Sequence, residues 1–167
     1  NYFTKYQVQI PTNYTELKTL CDTFRANGEL PLLMGAKDAW INKDAFTNIA
    51  DDIDSATFYA AVDGKTSWDC PAMIQAFQIW KNCFTDGIFQ DGALGVNVYT
   101  DTWDMFGTNA KAPMMYNGSW VMDSYLNMDP SIKAVFSSEN SNHKPFLIDW
   151  NNDGQLSGFA ASVDVVL

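Results

Sequence analysis

Positive charge is scarce. Ten Lys and Arg stand against twenty Asp and Glu, a net charge of −10. Phosphate backbones and anionic lipid surfaces both need a basic footprint, so nucleic acid and adsorption to such a surface are disfavoured as partners. Histidine is scarcer still. His143 stands alone in the polar stretch Ser137-Ser138-Glu139-Asn140-Ser141-Asn142-His143-Lys144, where a solvated side chain is the expectation. With no CxxC and no His/Cys cluster, a structural zinc lacks its ligands. No cofactor is expected. There is no Ser/His/Asp arrangement, no glycine-rich phosphate loop and no HExxH. No apolar run approaches the ~20 residues of a membrane span. Signal-peptide and lipidation motifs are missing too, but the chain opens at Asn1 without a methionine, so that absence carries no weight.

Cysteine is limited to Cys21, Cys70 and Cys83. The last two fall at opposite ends of one expected helix, about 20 Å apart at ~1.5 Å per residue, which is beyond disulfide reach. Three buried, reduced thiols are expected. The run Asp51-Asp52-Ile53-Asp54 reads as a solvated helix face.

What is present is a globular composition, 47% hydrophobic and 18% charged over 167 residues, enough for one domain with a real core. Pro11 to Glu16 opens a helix with Leu17, Leu20, Cys21 and Phe24 inward, and Asn27-Gly28 closes it. Leu30 to Met34 is a continuously apolar strand of the buried kind. Gly35-Ala36-Lys37-Asp38 turns into a helix starting near Ala39-Trp40, with Phe46, Ile49 and Ile53 inward. Asp69 caps the next helix, with Pro71 in its first turn. Its inner face reads Met73, Ile74, Phe77, Ile79-Trp80 and Phe84, and Gly87 ends it. A short helix is expected from Tyr99 to Phe106, then a strand over Ala112 to Tyr116. A helix runs from Ser119 to about Leu126, and short strands are expected at Lys133–Phe136, at Pro145–Trp150 and from Gly158. Helices alternating with apolar strands indicate an α/β layered domain.

The tetrad Asn117-Gly118-Ser119-Trp120 follows the strand at 112–116. Serine is a preferred N-cap, and a helix start leaves N–H donors without partners. Gly118, lacking Cβ, would let a ligand approach them. Trp120 would stand at the mouth. Asp38-Ala39-Trp40 is a second strand-to-helix junction bearing a tryptophan. Ligands in open α/β sheets sit beyond the carboxyl ends of strands. Backbone donors beside a flat indole suit a sugar. The competing reading makes each tryptophan a core anchor.

In this order, the residues resemble the extracellular solute-binding proteins of carbohydrate ABC importers, the family that includes maltose-binding protein. The resemblance rests on Ile10-Pro11-Thr12-Asn13-Tyr14-Thr15-Glu16-Leu17, on Leu30-Pro31-Leu32 to Trp40, on Ala76-Phe77-Gln78-Ile79-Trp80 to Gly87, and on Phe106-Gly107, Lys111-Ala112-Pro113-Met114 and Asn117-Gly118-Ser119-Trp120. Thr108-Asn109-Ala110 lengthens the spacing usual before Lys111. The resemblance implies an α/β lobe like that of a type II periplasmic binding protein, with a mixed sheet flanked by helices. Residues 1–167 would be the bulk of a second lobe, without the N-terminal lobe and the C-terminal helices. It implies a binding protein and not an enzyme. The ligand would be a neutral sugar or oligosaccharide held by Trp120, Ser119, Gly118, Asn117, Trp40 and Asp38. It further implies a monomer that closes on its ligand and docks on a membrane permease. The location would be extracellular or periplasmic, with a lipoprotein anchor in the full-length protein.

Two readings compete. Asp149-Trp150-Asn151-Asn152-Asp153-Gly154-Gln155-Leu156-Ser157 fits the opening of a calcium loop, with Asp149, Asn151, Asp153 and Ser157 as oxygen donors. Position 12, however, is Ala160, and an Asn/Asp/Gly turn explains the same letters. An interaction module without a small ligand predicts Trp40 and Trp120 buried far apart. The sugar reading predicts both partly exposed on one rim.

Overall fold

The computed structural model describes residues 2–108, 111–121 and 145–157. Within them the chain forms α1 (Tyr2–Tyr6), α2 (Tyr14–Ala26), β1 (Leu32–Leu33), α3 (Ala39–Val62), α4 (Pro71–Thr85) and β2 (Met114–Met115). A 3-10 turn at Ala93–Gly95 and two π-helical turns, Val98–Thr102 and Asp104–Thr108, lie between α4 and β2. The strands expected at 133–136 and from Gly158, His143, and the course of the Ser119 helix after Val121 lie outside the described residues.

α2 starts where its capping chemistry is. Asn13 Oδ1 accepts Glu16 N at 2.9 Å, and Glu16 Oε2 reaches back to Thr12 N at 2.8 Å. Those bonds from Thr12 hold the Glu16 carboxyl below its usual range. Leu17, Leu20, Cys21 and Phe24 are buried, as the spacing expects. α1 was not expected. Its rings at positions 2, 3 and 6 gather edge-on around Phe24, with centroids 5.8 to 6.3 Å away. That apolar cap stabilises one and a half turns that would not persist alone.

β1 is the central strand. It pairs in parallel with β2, Leu32 opposite Met114 and Leu33 opposite Met115, and bridges in parallel to Phe89 on its other side. The buried Gln90 prolongs that edge with its side chain, accepting Met34 N at 2.8 Å and donating to Met34 O at 2.9 Å. A further parallel bridge joins Asn13 to Asp149. Every pairing among the described residues is parallel, so the antiparallel component of the expected mixed sheet is not among them.

α3 and α4 pack against each other. α4 begins one residue later than expected, with Cys70 as its N-cap and Pro71 in its first turn. Its buried face is Met73, Ala76 and Cys83. Ile74 and Phe77, read as inward, are 56% and 49% exposed. The sequence offered apolar residues on two faces, and the face with Met73, Ala76 and Cys83 is the one that is buried. Phe77 instead stacks on Phe46 at 4.4 Å.

The acidic run is not a solvated face. Asp54 has non-helical φ/ψ and kinks α3. It caps the second segment, accepting Thr57 N at 2.9 Å and Thr57 Oγ1 at 2.7 Å. Asp51 and Asp52 are buried. Asp52 accepts Trp150 N at 2.7 Å and Ser157 N at 3.1 Å, and Asp51 accepts Ser157 Oγ at 2.5 Å and Ser55 Oγ at 2.8 Å. The carboxylates anchor the 149–157 loop to the helix. Burial moves the Asp52 carboxyl above its usual range against those bonds.

All three thiols are free, Cys21 and Cys83 buried and Cys70 half-buried. Burial pushes the Cys21 thiol up to about 12 and raises Cys83 as well. Among the described residues no helix is long and apolar enough to cross a membrane.

Candidate functional site

The two tryptophan-bearing junctions meet. β1 leads through the turn at 35–38 to Trp40, and β2 leads through Tyr116 and Asn117 to Trp120. Because the strands run parallel and side by side, their carboxyl ends open on the same edge. There the Trp40 and Trp120 rings lie 5.8 Å apart, tilted by 53°, and both residues are half-buried. Two rings that the sequence reading passed over extend the group. Tyr99 stacks on Trp40 at 5.8 Å and 20°, and Trp103 lies 6.3 Å from Tyr99. Tyr99 is 55% exposed, so it offers the most open aromatic face of the four. A signal for these two did exist in the four-residue step from Tyr99 to Trp103 on an expected helix. Nothing local, however, tied that helix to Trp40.

What ties it is Asp38. Its Oδ2 accepts Val98 N at 2.7 Å, while Ala36 N and Lys37 N donate to Ala93 O and Val96 O at 3.1 and 3.0 Å. Gly35 permits this close approach, since a Cβ there would stand 2.6 Å from Val98 Cγ2 and 2.7 Å from Val98 backbone atoms. Thr102 Oγ1 donates to Val98 O at 2.6 Å, and Asp101 Oδ2 accepts Asn97 N at 2.8 Å. The 97–102 turn is thus closed on itself and fixed to the start of α3, with Tyr99 held over Trp40. Asp38, nominated as a ligand group, has one oxygen committed to this scaffold. Asn42 Nδ2 donates to Ala36 O at 2.6 Å and Asp38 O at 3.1 Å, fixing the turn from within α3.

The tetrad is arranged differently from the expectation at Gly118. The half-buried Gly118 lies under a ring of its own segment. The Trp120 indole folds back over it, and a Cβ at Gly118 would run into the six-membered ring. The glycine therefore sets the pose of the indole. Asn117 Oδ1 accepts Gly118 N at 2.9 Å, Val121 N donates to Gly118 O at 3.1 Å, and Ser119 is exposed as the helix begins at Trp120. Tyr116 N donates to Leu33 O at 2.8 Å, and burial raises its phenol.

The loop from Asp149 to Ser157 lies apart, against α2 and the middle of α3. Asp149 accepts Asp153 N at 3.2 Å and Gly154 N at 2.8 Å, and Asn151 accepts Asp153 N at 3.0 Å. Positive φ at Asn152 and Gly154 lets the chain wind around Asp149. Ser157 is turned to Asp51 and Asp52. Among the described residues no group of three or more His, Cys, Asp or Glu could hold a metal ion.

No protein-family model matches the chain, and no curated protein does. Solved structures match. One, from work on xylan utilization by the thermophilic bacterium Caldanaerobius polysaccharolyticus, is 29% identical over 78% of this chain and 33% of its own, with a TM-score of 0.69. A chitin oligosaccharide binding protein is 23% identical over 72% of this chain and 30% of its own, at 0.63. SBP RafE, solved with raffinose, is 21% identical over 77% of this chain and 35% of its own, at 0.57. The last two speak for the fold. The chain spans about a third of the length of these structures.

Proposed function

We propose, for a chain that belongs to the solute-binding proteins of carbohydrate ABC importers, that residues 1–167 form most of one α/β lobe and supply one wall of a sugar-binding cleft. The observation that carries this reading is the meeting of Trp40 and Trp120 at the carboxyl ends of two parallel strands, with Tyr99 open beside them. A pyranose presents C–H faces and a rim of hydroxyls. Aromatic faces take the first and a few oriented polar groups take the second. Four rings in a row favour an oligosaccharide over a single sugar. The second lobe would close over it by a hinge, and the closed monomer would dock on a membrane permease from the extracellular or periplasmic side, held by a lipid anchor. Among the described residues no side-chain arrangement argues for a reaction, and a binding role accounts for the geometry.

The test is titration of the intact protein with neutral oligosaccharides, amino acids and short peptides, followed by tryptophan fluorescence, with Trp120→Ala in parallel. Saturation by a sugar that Trp120→Ala abolishes supports the reading. Saturation by peptides keeps the fold and overturns the substrate class. Silence across the panel favours an interaction module without a small ligand.

A further inference from the structure

The segment between α4 and β2 carries two π turns, Val98–Thr102 and Asp104–Thr108. The first is closed by Thr102 N donating to Asn97 O, five residues back, at 3.1 Å. Such widened turns are rare, and they concentrate at functional positions. This one sorts its side chains into two four-residue steps. Val98 and Thr102 are buried and face the fold. Tyr99 and Trp103, each one residue further on, keep open surface, Tyr99 being exposed and Trp103 half-buried. The inward step does the anchoring. Val98 N is bonded to Asp38, Thr102 Oγ1 to Val98 O, and Asn97 N to Asp101. The outward step is free of that duty and bears two large rings.

The outward face of a surface helix is normally polar. The neighbours of these rings keep to that rule, since Thr100 and Asp104 are both exposed. An exposed ring standing singly needs no explanation, whereas a contiguous apolar patch with a polar rim marks a place of contact. Here the rings are contiguous. Trp103 lies 6.3 Å from Tyr99, Tyr99 stacks on Trp40 at 5.8 Å, and Trp40 lies 5.8 Å from Trp120. The patch thus continues from the two tryptophans at the strand ends onto a separate turn. That turn is held in place by Asp38 and by the close approach of Gly35 to Val98. A pre-positioned aromatic surface loses little side-chain freedom when a ligand lies on it.

We propose that Tyr99 and Trp103 extend the Trp40–Trp120 pair into an outer aromatic position that takes a further ring of a neutral oligosaccharide, and that this position makes the protein prefer longer chains to shorter ones. A short sugar fills the inner pair alone. A longer one also covers the π turn. The proposal rests on the sugar-binding reading above, and it names Trp103 as a residue that sets chain-length preference.

The test uses the intact protein and calorimetric titration with short and long members of three neutral series: xylobiose and xylotetraose, raffinose and stachyose, chitobiose and chitotetraose. Wild type, Trp103→Ala and Trp103→Phe are compared, with thermal melts in the absence of sugar. In the series that binds, wild type favours the long member, and Trp103→Ala cuts the long-to-short affinity ratio about 3- to 10-fold, the scale of one aromatic contact. Trp103→Phe, which keeps an aromatic face, restores most of that ratio. A ratio untouched by Trp103→Ala, or a wild type indifferent to chain length, overturns the proposal and leaves the sugar reading standing. An equal loss for short and long members also overturns it, because Trp103 would then only brace the shelf. Silence of wild type toward all six sugars overturns both. Should Trp103→Ala fail to fold, a crystal structure of wild type with the longest sugar bound decides. A sugar ring against Trp103 supports the outer position, and solvent there with the sugar confined to Trp40 and Trp120 overturns it.

Discussion

The two ends of the Trp40–Asp52 part of α3 both carry a buried aspartate, Asp44 at one and Asp52 at the other, yet they are used differently. Around Asn48, Asp51 and Asp52 four bonds tie the helix to the 149–157 loop, with Trp150 held at both its backbone and its ring nitrogen. Around Trp40 and Asp44 the helix meets half-open rings and a carboxylate oxygen that has the Lys43 ion pair at 3.0 Å but no hydrogen bond. Burial alone does not tell these ends apart, since Asp44, Asp51 and Asp52 are all buried. Satisfaction does. A satisfied buried carboxylate stabilises the fold, whereas an unsatisfied one costs stability.

The sharpest way to break that comparison is to remove each acid. Asp52→Ala strands the buried Trp150 N and removes the partner of the part-buried Ser157 N, and a loss of about 2–4 kcal/mol is expected in urea denaturation. Asp44→Leu removes a carboxylate oxygen without a hydrogen bond and fills its space, so stability stays level or rises. Equal losses at both positions would erase the distinction. A smaller loss, about 1–3 kcal/mol, is expected for Gly35→Ala, whose Cβ would press on the Val98 backbone. Because that contact holds the 97–102 turn, sugar affinity should fall with it, which melts and titration together would reveal. Tyr99→Ala should leave stability within about 0.5 kcal/mol, since the ring is largely open. The same change should weaken sugar binding about 3- to 10-fold, the scale of one aromatic contact. An affinity unmoved by Tyr99→Ala would confine the shelf to the two tryptophans.

How far the sequence carried the picture depended on the range of the interaction. Caps and periodicity are local, so α2 was legible from Asn13 to Gly28, and the Leu30–Met34 strand and the start of α3 were legible too. The two Trp-bearing junctions were legible as junctions, because glycine, an N-cap residue and a preceding apolar run are all local marks. What failed was non-local. The inner face of α4 was misjudged because Ile74 and Phe77 outrank Ala76 in hydrophobicity, while burial follows the face of Met73, Ala76 and Cys83. Asp51 and Asp52 read as solvated because their partners lie about a hundred residues away in the chain. The Trp120 indole folding back over Gly118 went unforeseen because no sequence pattern shows it. Tyr99 and Asp44 went unmarked for the same reason, as their meaning lies in what stands across from them.

The smallest effect is also the one whose sign is least intuitive. Glu16, Glu29, Asp54 and Asp101 all have lowered carboxyl pKa values in the fold, so their stabilisation is present above the unfolded values and is lost as pH falls. Asp52 runs the other way. Burial raises it above 3.8, so the folded state holds its proton where the unfolded state has released it. Its contribution is therefore greatest below 3.8 and declines as pH rises through the folded value. In the wild type this partly offsets the acid-induced loss from the other four. Asp52→Asn removes the offset, so the slope of urea stability against pH between about 3 and 5 should steepen, whatever the variant's absolute stability. An unchanged slope would mean that the loop bonds to Asp52 fully cancel the effect of its burial. The Asp52 end of that helix would then hold a carboxylate at no electrostatic cost, and the contrast with Asp44 would be wider than drawn.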